Sequence, residues 1–351
     1  MTRILILKTG AFGDVLRTTS ILPGLAARDG GAHIAWVTAP AAVDLLRMHP
    51  LIGAIVELDI ESPSSIETTT RKLCEHEWDQ VISLDDEQPL CELASRIPAR
   101  RISGAFLRDD GTRAYTGDAA PWFDMGLLSV HGKAHADRLK IENRRSHPAI
   151  LAHMLGIAMG KPKLVLAGEN EQFAADFARR ANVRERGAVV GLNTGAGGRW
   201  QSKSLSPERT AQVAAAIDSA CEGRAKFVLF GGVDERERNA RIAELLAREV
   251  AFADAGVDNG VLDFAALVGL CDVLITSDSL ALHVALARHV RTVAFFAPTS
   301  AAEIEMYGLG EKVASTAADY CSYRPDADTA TLTPERIAAA ALRQLAVRTR
   351  H

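Results

Sequence analysis

The sequence predicts an α/β protein built as two similar halves, and three observations carry that expectation. Short apolar runs without polar alternation recur, as in Arg3–Leu7 (RILIL), Val273–Ile275 and Val293–Phe296, which is the pattern of parallel strands buried on both faces. Each such run leads through a polar turn into a helical apolar pattern, as βαβ units require. The 351 residues suffice for about two domains of ~150 residues, and the second half repeats the alternation of the first. The expected limits are 1–160, 161–332 and a closing helix over 333–351.

The first unit is a strand, a loop and a helix. Arg3–Leu7 ends in Lys8-Thr9-Gly10, and after Gly13-Asp14 a helical pattern runs through Val15, Leu16, Ile21, Leu22, Leu25 and Ala26. Gly10 and Gly13 permit a tight turn and a close ligand approach, and Asp14 falls at the helix start. Neither GxGxxG nor GxxxxGK[ST] occurs, which removes a dinucleotide fingerprint and a P-loop. Strand His33–Val37, helix Ala41–Met48, strand Ala54–Leu58, helix Ser64–His76, strand Gln80–Leu84 and helix Glu87–Ile97 follow. Residues 104–132 read as a long irregular stretch, of the kind that tends to be functional. An alanine-rich helix over 134–159 then reaches the boundary at Gly160-Lys161-Pro162.

The second half reads as strand Ala188–Leu192, loop Asn193–Lys203, helix Pro207–Cys221, strand Lys226–Phe230, helix Glu235–Arg248, strand Ala251–Ala253 and helix Leu262–Leu270. After strand Val273–Ile275, Asp278 stands at an N-cap position and Ser279 opens a short helix. Strand Val293–Phe296 comes next, and Pro334 starts a last helix to about Arg348. Helix N-termini at the carboxyl ends of parallel strands suit anions such as phosphate, and Asp278, Ser279 and His283 would surround one there. Two similar halves without a dinucleotide fingerprint suggest a cleft between them as the site.

Composition narrows the function classes. With 48% hydrophobic and 24% charged residues and a net charge of −4, the chain has an ordinary soluble composition and little to attract nucleic acid. Five scattered cysteines without a CxxC pair argue against structural zinc or a disulfide framework and fit a reducing cytoplasm. No apolar run approaches ~20 residues, and no signal peptide opens the chain. His131 and His135 have metal-ligand spacing without a third ligand candidate nearby, and Asp326-Ala327-Asp328 lies in a Pro- and Thr-containing tail, so no dedicated catalytic metal is expected.

Three clusters stand at the carboxyl ends of predicted strands: KTGAFGD at 8–14, NTGAGGRWQSKSLSPER at 193–209 and DSLALH at 278–283. In type and order they resemble glycosyltransferase family 9, the bacterial heptosyltransferases, and the resemblance runs from Arg3 to about Ala314. Leu280 stands where the family carries Gly, and Leu205 where it carries Trp. The resemblance implies a GT-B fold, two Rossmann-like domains facing a central cleft, with the acceptor read by the first and the nucleotide sugar by the second. Asp14 is thereby the general base on the acceptor hydroxyl, in a loop whose Lys8 and Gly13 also bind substrate. A carboxylate on a Gly-flanked loop at a cleft can reach such a proton. Lys203 takes the place of the phosphate-binding lysine, where an ammonium stabilises charge growing on a diphosphate leaving group. Thr194, Gly195 and Ala196 would offer hydroxyl and backbone N–H to the phosphates, and Arg199 is a further basic residue of that loop. Gly231, with Gly232, leaves room for a nucleoside, Glu235 matches a position that accepts from ribose hydroxyls, and Asp278, Ser279 and His283 complete the diphosphate turn.

The implied reaction is an inverting transfer of a sugar from a nucleotide diphosphate, most often ADP-heptose, to a hydroxyl of a saccharide or small-molecule acceptor. No cofactor is implied, and peripheral membrane association is a family-level expectation. Two other readings remain: a non-catalytic sugar- or nucleotide-binding protein, and a nucleotide-sugar epimerase or hydrolase. An intact Asp14 argues against the former, and the missing fingerprint against a dinucleotide-dependent epimerase.

Overall fold

The computed structural model describes residues 1–197 and 200–348, which divide into two compact units. The first comprises Met1–Val165 together with Ala302–Glu305, and the second comprises Leu166–Ala301 and the described residues from Met306 on. No described helix is long and apolar enough to cross a membrane.

The first unit contains β1 (Arg3–Leu7), α1 (Phe12–Thr18), α2 (Leu22–Arg28), β2 (His33–Thr38), β3 (Ala54–Glu57), α3 (Pro63–Cys74), β4 (Gln80–Ser83) and α4 (Gln88–Arg96). After them come β5 (Ile102–Leu107), β6 (Arg113–Tyr115), α5 (Ala120–Phe123), α6 (Lys133–Glu142) and α7 (His147–Leu155). The strand order is β3-β2-β1-β4-β5-β6, parallel except for the β5–β6 hairpin. Ile4, Leu5, Ile6 and Leu7 are fully buried, as a central parallel strand demands. The order reverses between β1 and β4, so their carboxyl ends flank the topological switch point where ligands of open α/β sheets collect.

Four sequence expectations for this unit need correction. The helix expected through Ala26 is two helices joined by a 3₁₀ turn at Thr19–Ile21, because Pro23 in the first turn of α2 has no amide to donate. Residues Pro40–Leu45 form a 3₁₀ segment where an α-helix was expected. The irregular stretch at 104–132 holds a hairpin and α5, and the first strand of that hairpin needs Gly104 to lie against β4. With φ +118°, a Cβ at Gly104 would lie 1.8 Å from Ser83 O and block the pairing of β5 with β4. The helix expected over 134–159 breaks into α6 and α7, since Ser146 is extended, Pro148 opens α7 and Gly156 ends it in a left-handed conformation.

The second unit contains α8 (Gly168–Arg180), β7 (Ala188–Asn193), α9 (Pro207–Ala220), β8 (Ala225–Phe230), α10 (Arg236–Glu249), β9 (Phe252–Asp254) and α11 (Val261–Val268). It continues with β10 (Val273–Ser277), α12 (Leu280–Ala287), β11 (Arg291–Phe296), β12 (Gly310–Ala314) and α13 (Pro334–Arg348). Its six strands are all parallel, in the order β12-β11-β10-β7-β8-β9. Counted from each unit's own first strand, both sheets follow the Rossmann order 3-2-1-4-5-6. The second switch point therefore lies between β7 and β10. Phe227, Leu229, Ile275 and Phe295 of the sheet pack with Val213 and Ile217 of α9 and Ile337 and Ala341 of α13, so the closing helix is part of this core. The cap of α12 is Ser279, not Asp278: Ser279 is extended at φ −143° and Leu280 is the first helical residue. Ala281 through Ala287 are all buried, so α12 has no solvent face after its first residue.

Candidate active site

At the first switch point, Lys8 leaves β1 beside Asp85, which follows β4. The Lys8 ammonium donates to Asp85 Oδ1, while Thr9 N (2.6 Å) and Thr9 Oγ1 (3.0 Å) donate to Oδ2. Both charged side chains are more than nine-tenths buried. Burial works to lower the Lys8 pKa, but the Asp85 charge, helped by Asp14, overcomes it and raises the ammonium above its ordinary value. Lys8, expected to bind substrate, is thus committed to a buried pair that ties the loop to β4. Asp85 went unread in the sequence because DDE after a strand looks like a solvated acidic turn. Only the adjacency of β1 and β4 brings it to Lys8.

Asp14 does not cap its helix. The N-cap of α1 is Ala11, which leaves Asp14 as the third helical residue in a first turn that also holds buried Gly13. Its carboxylate oxygen Oδ1 lies 3.0 Å from Arg17, and its side chain is 37% exposed, far more open than Lys8.

The second switch point gathers most of the other predicted residues. Asn193, at the end of β7, donates from Nδ2 to Gly195 O (2.8 Å) and Thr276 Oγ1 (3.0 Å) and lies 3.4 Å from Ser279 Oγ, which fastens the loop to the β10–α12 turn. Ser279 also bonds Thr276 through its hydroxyl at 3.1 Å. Lys203 reaches this turn, its ammonium donating to Asp278 O at 2.8 Å and lying 3.4 Å from Asp278 Oδ2. Each of those two side chains keeps 19% exposure. The lysine also lies 5.2 Å from the Trp200 ring centroid. His283 is buried one turn into α12. Gly195 and Ala196 are partly exposed at the crest of the loop. Arg199 lies outside the described residues.

Two assignments change here. Thr194 was expected to offer its hydroxyl and amide to phosphate, but its hydroxyl bonds Asn239 Oδ1 and Phe230 O, and its amide also donates to Phe230 O. Gly231 was expected to leave room for a nucleoside, yet a Cβ there would lie 2.6 Å from Asn239 Nδ2, so that space belongs to Asn239. Glu235 is buried and accepts from Gly232 N at 2.8 Å, and a Cβ at Gly195 would meet the same carboxylate oxygen at 2.9 Å. Glu235 therefore braces both glycine turns. Phe264 packs edge-on to Phe230, and Ala265 and Leu267 are core.

The remaining candidates are occupied by ordinary contacts. His131 and His135 rings stand 5.0 Å apart, with Arg138 on His135 Nδ1, and no cluster of three or more metal-ligating side chains occurs among the described residues. Asp326 of the Asp326-Ala327-Asp328 run pairs with Arg324. What the second switch point offers chemically is a partly open ammonium beside the N-terminus of a buried helix, an arrangement suited to an oxyanion.

No curated protein matches the chain. Its fold is shared by a glycosyl transferase family 9 protein from Veillonella parvula DSM 2008, at 20% identity and TM-score 0.77 over 98% of this chain and 97% of that one. It is shared too by ADP-heptose lps heptosyltransferase II of E. coli, at 16% identity and TM-score 0.67 over 99% and 100% of the two chains. E. coli heptosyltransferase WaaC with ADP is similar at 14% identity and TM-score 0.61 over 99% and 100%. The fold is thus of the GT-B type. The model for glycosyltransferase family 9 (heptosyltransferase) matches residues 68–327, most of the sequence, and the chain belongs to that family.

Proposed function

We propose that this glycosyltransferase moves a heptose from ADP-heptose to a saccharide hydroxyl with inversion at the anomeric carbon. Asp14 takes the acceptor proton as the oxygen bonds to the anomeric carbon. The bond from that carbon to the diphosphate breaks, and ADP leaves with the electron pair. Lys203 lies against the diphosphate and stabilises the charge it gains, with Asp278 and Ser279 at the N-terminus of α12 shaping the same turn. The observation that carries this reading is the contact of Lys203 with Asp278 at the β7–β10 switch point. The adenine and heptose preferences are supported by similar structures described with ADP and with ADP-2-deoxy-2-fluoro heptose.

A melting series with ADP, UDP and GDP, on the wild type and on Asp278→Ala, tests the donor. At ~100 times its dissociation constant, ADP is expected to stabilise the folded state by about 2.7 kcal/mol, and UDP and GDP at the same concentration by less. Equal shifts retract the adenine preference, and a larger shift with UDP or GDP reassigns the donor. Lys203→Ala is expected both to weaken ADP binding and to lower turnover at saturating donor, because the lost charge acts on the leaving group. Unchanged affinity and rate would make Lys203 a bystander.

A further inference from the structure

The structure assigns Arg17 as the positioning residue of Asp14, with Trp122 as the surface that fixes Arg17 in turn. The inference rests on the reading of Asp14 as the base. An Asp–Arg pair three residues apart on an exposed helix contributes little and wanders among rotamers. This pair is different in its surroundings. The Arg17 side chain is only 12% exposed, and its guanidinium carbon lies 5.7 Å from the Trp122 ring centroid while its NH2 lies 3.0 Å from Asp14 Oδ1. Trp122 is itself held edge-on by His147 at 4.6 Å, and His147 is buried at the start of α7. Side chains from three helices, α1, α5 and α7, thus form one stack ending on the carboxylate.

Electrostatics at the helix end would explain a basic residue in the last turn of α1, but not its stacking on an aromatic face. A planar guanidinium satisfies both demands, since it stacks on an indole and grips a carboxylate oxygen together. Arg17 and Lys8 are charged groups near Asp14, and Lys8 is held by Asp85. Arg17 is in direct contact with the carboxylate. Fixing a general base matters because a displacement of about 1 Å can cost ~10²-fold in rate.

The test follows the Asp14 side chain itself. In protein labelled with ¹³C at aspartate carboxyls, the Asp14 resonance is the one missing from Asp14→Asn. Loss of a contacting cation disfavours the carboxylate, so Arg17→Gln is expected to move the titration midpoint of that resonance upward. Trp122→Leu, which keeps the charge but removes its support, is expected to move it the same way by less. Arg17→Lys and Trp122→Phe serve as milder variants should either of the others fail to fold. Release of ADP from ADP-heptose is expected to fall about 10- to 100-fold in Arg17→Gln, and in the double variant to fall no further than in Asp14→Asn alone. An unmoved midpoint, or losses that simply multiply in the double variant, overturns the role of Arg17. Normal ADP release by Asp14→Asn alone would instead refute Asp14 as base, with the midpoint shift still standing.

Discussion

Asp14→Asn is expected to lower transfer by ~10²–10⁴-fold at saturating substrates while leaving ADP binding unchanged, because removal of a general base typically costs that much. The amide keeps the shape of the carboxylate and still offers an oxygen to Arg17, but it cannot take the proton. Asp14 lies in the first unit, whereas the turns proposed to hold the donor, at 194–203 and 278–283, lie in the second. The side chain is more than a third exposed, so little change in folding stability should accompany the substitution. Steady-state turnover paired with ADP-induced melting shifts separates chemistry from binding. Near-normal turnover would end the assignment of Asp14 as base.

The second large effect is expected on folding. Asp85→Ala removes the acceptor for the Lys8 ammonium, the Thr9 amide and the Thr9 hydroxyl together, and leaves a buried cation without its partner. Breaking one side of a buried pair typically costs about 3–5 kcal/mol. Replacing both partners by apolar residues, Lys8→Met with Asp85→Leu, is expected to recover much of that loss. Denaturant titrations of the three proteins at pH 7–8 measure it directly. The pH range matters because the folded-state pKa of Lys8 is raised. Its contribution is complete below the ordinary value of 10.5 and is lost only as pH rises through the higher folded-state value, so wild type and variant converge only in alkali. A single-variant loss below about 1 kcal/mol would mean that the pair is effectively solvated.

The parts of the fold legible in the sequence were those whose burial is two-sided. β1, β7, β10 and β11 announce themselves as unbroken apolar runs because helices cover both faces. α8 was missed since only Asn170 and Ala174 along it are buried, and Phe173, one of its two phenylalanines, is 36% exposed, leaving almost no stripe to read. β12 was missed because an edge strand reading GEKVA buries only Val313. At the site, motif order located the Lys203 and Asp278 turns. It did not say which polar atoms turn inward, since that depends on neighbours distant in sequence, as with Thr194 on Asn239 and Gly231 against the same side chain. Asp85 is the sharpest case, a residue 77 positions from its partner.

The shared strand order has an evolutionary corollary. In each sheet a lysine following the first strand meets an aspartate following the fourth: Lys8 with Asp85, and Lys203 with Asp278. The two pairs occupy equivalent places in two copies of one wiring scheme, yet one is sealed and the other keeps 19% of each side chain in contact with solvent. Drift at the sealed aspartate is filtered by how much folded protein accumulates. Under the proposed donor reading, drift at the open one is filtered by what the folded protein can hold, so relatives that no longer bind a diphosphate should diverge at 278 while still retaining an acid at 85.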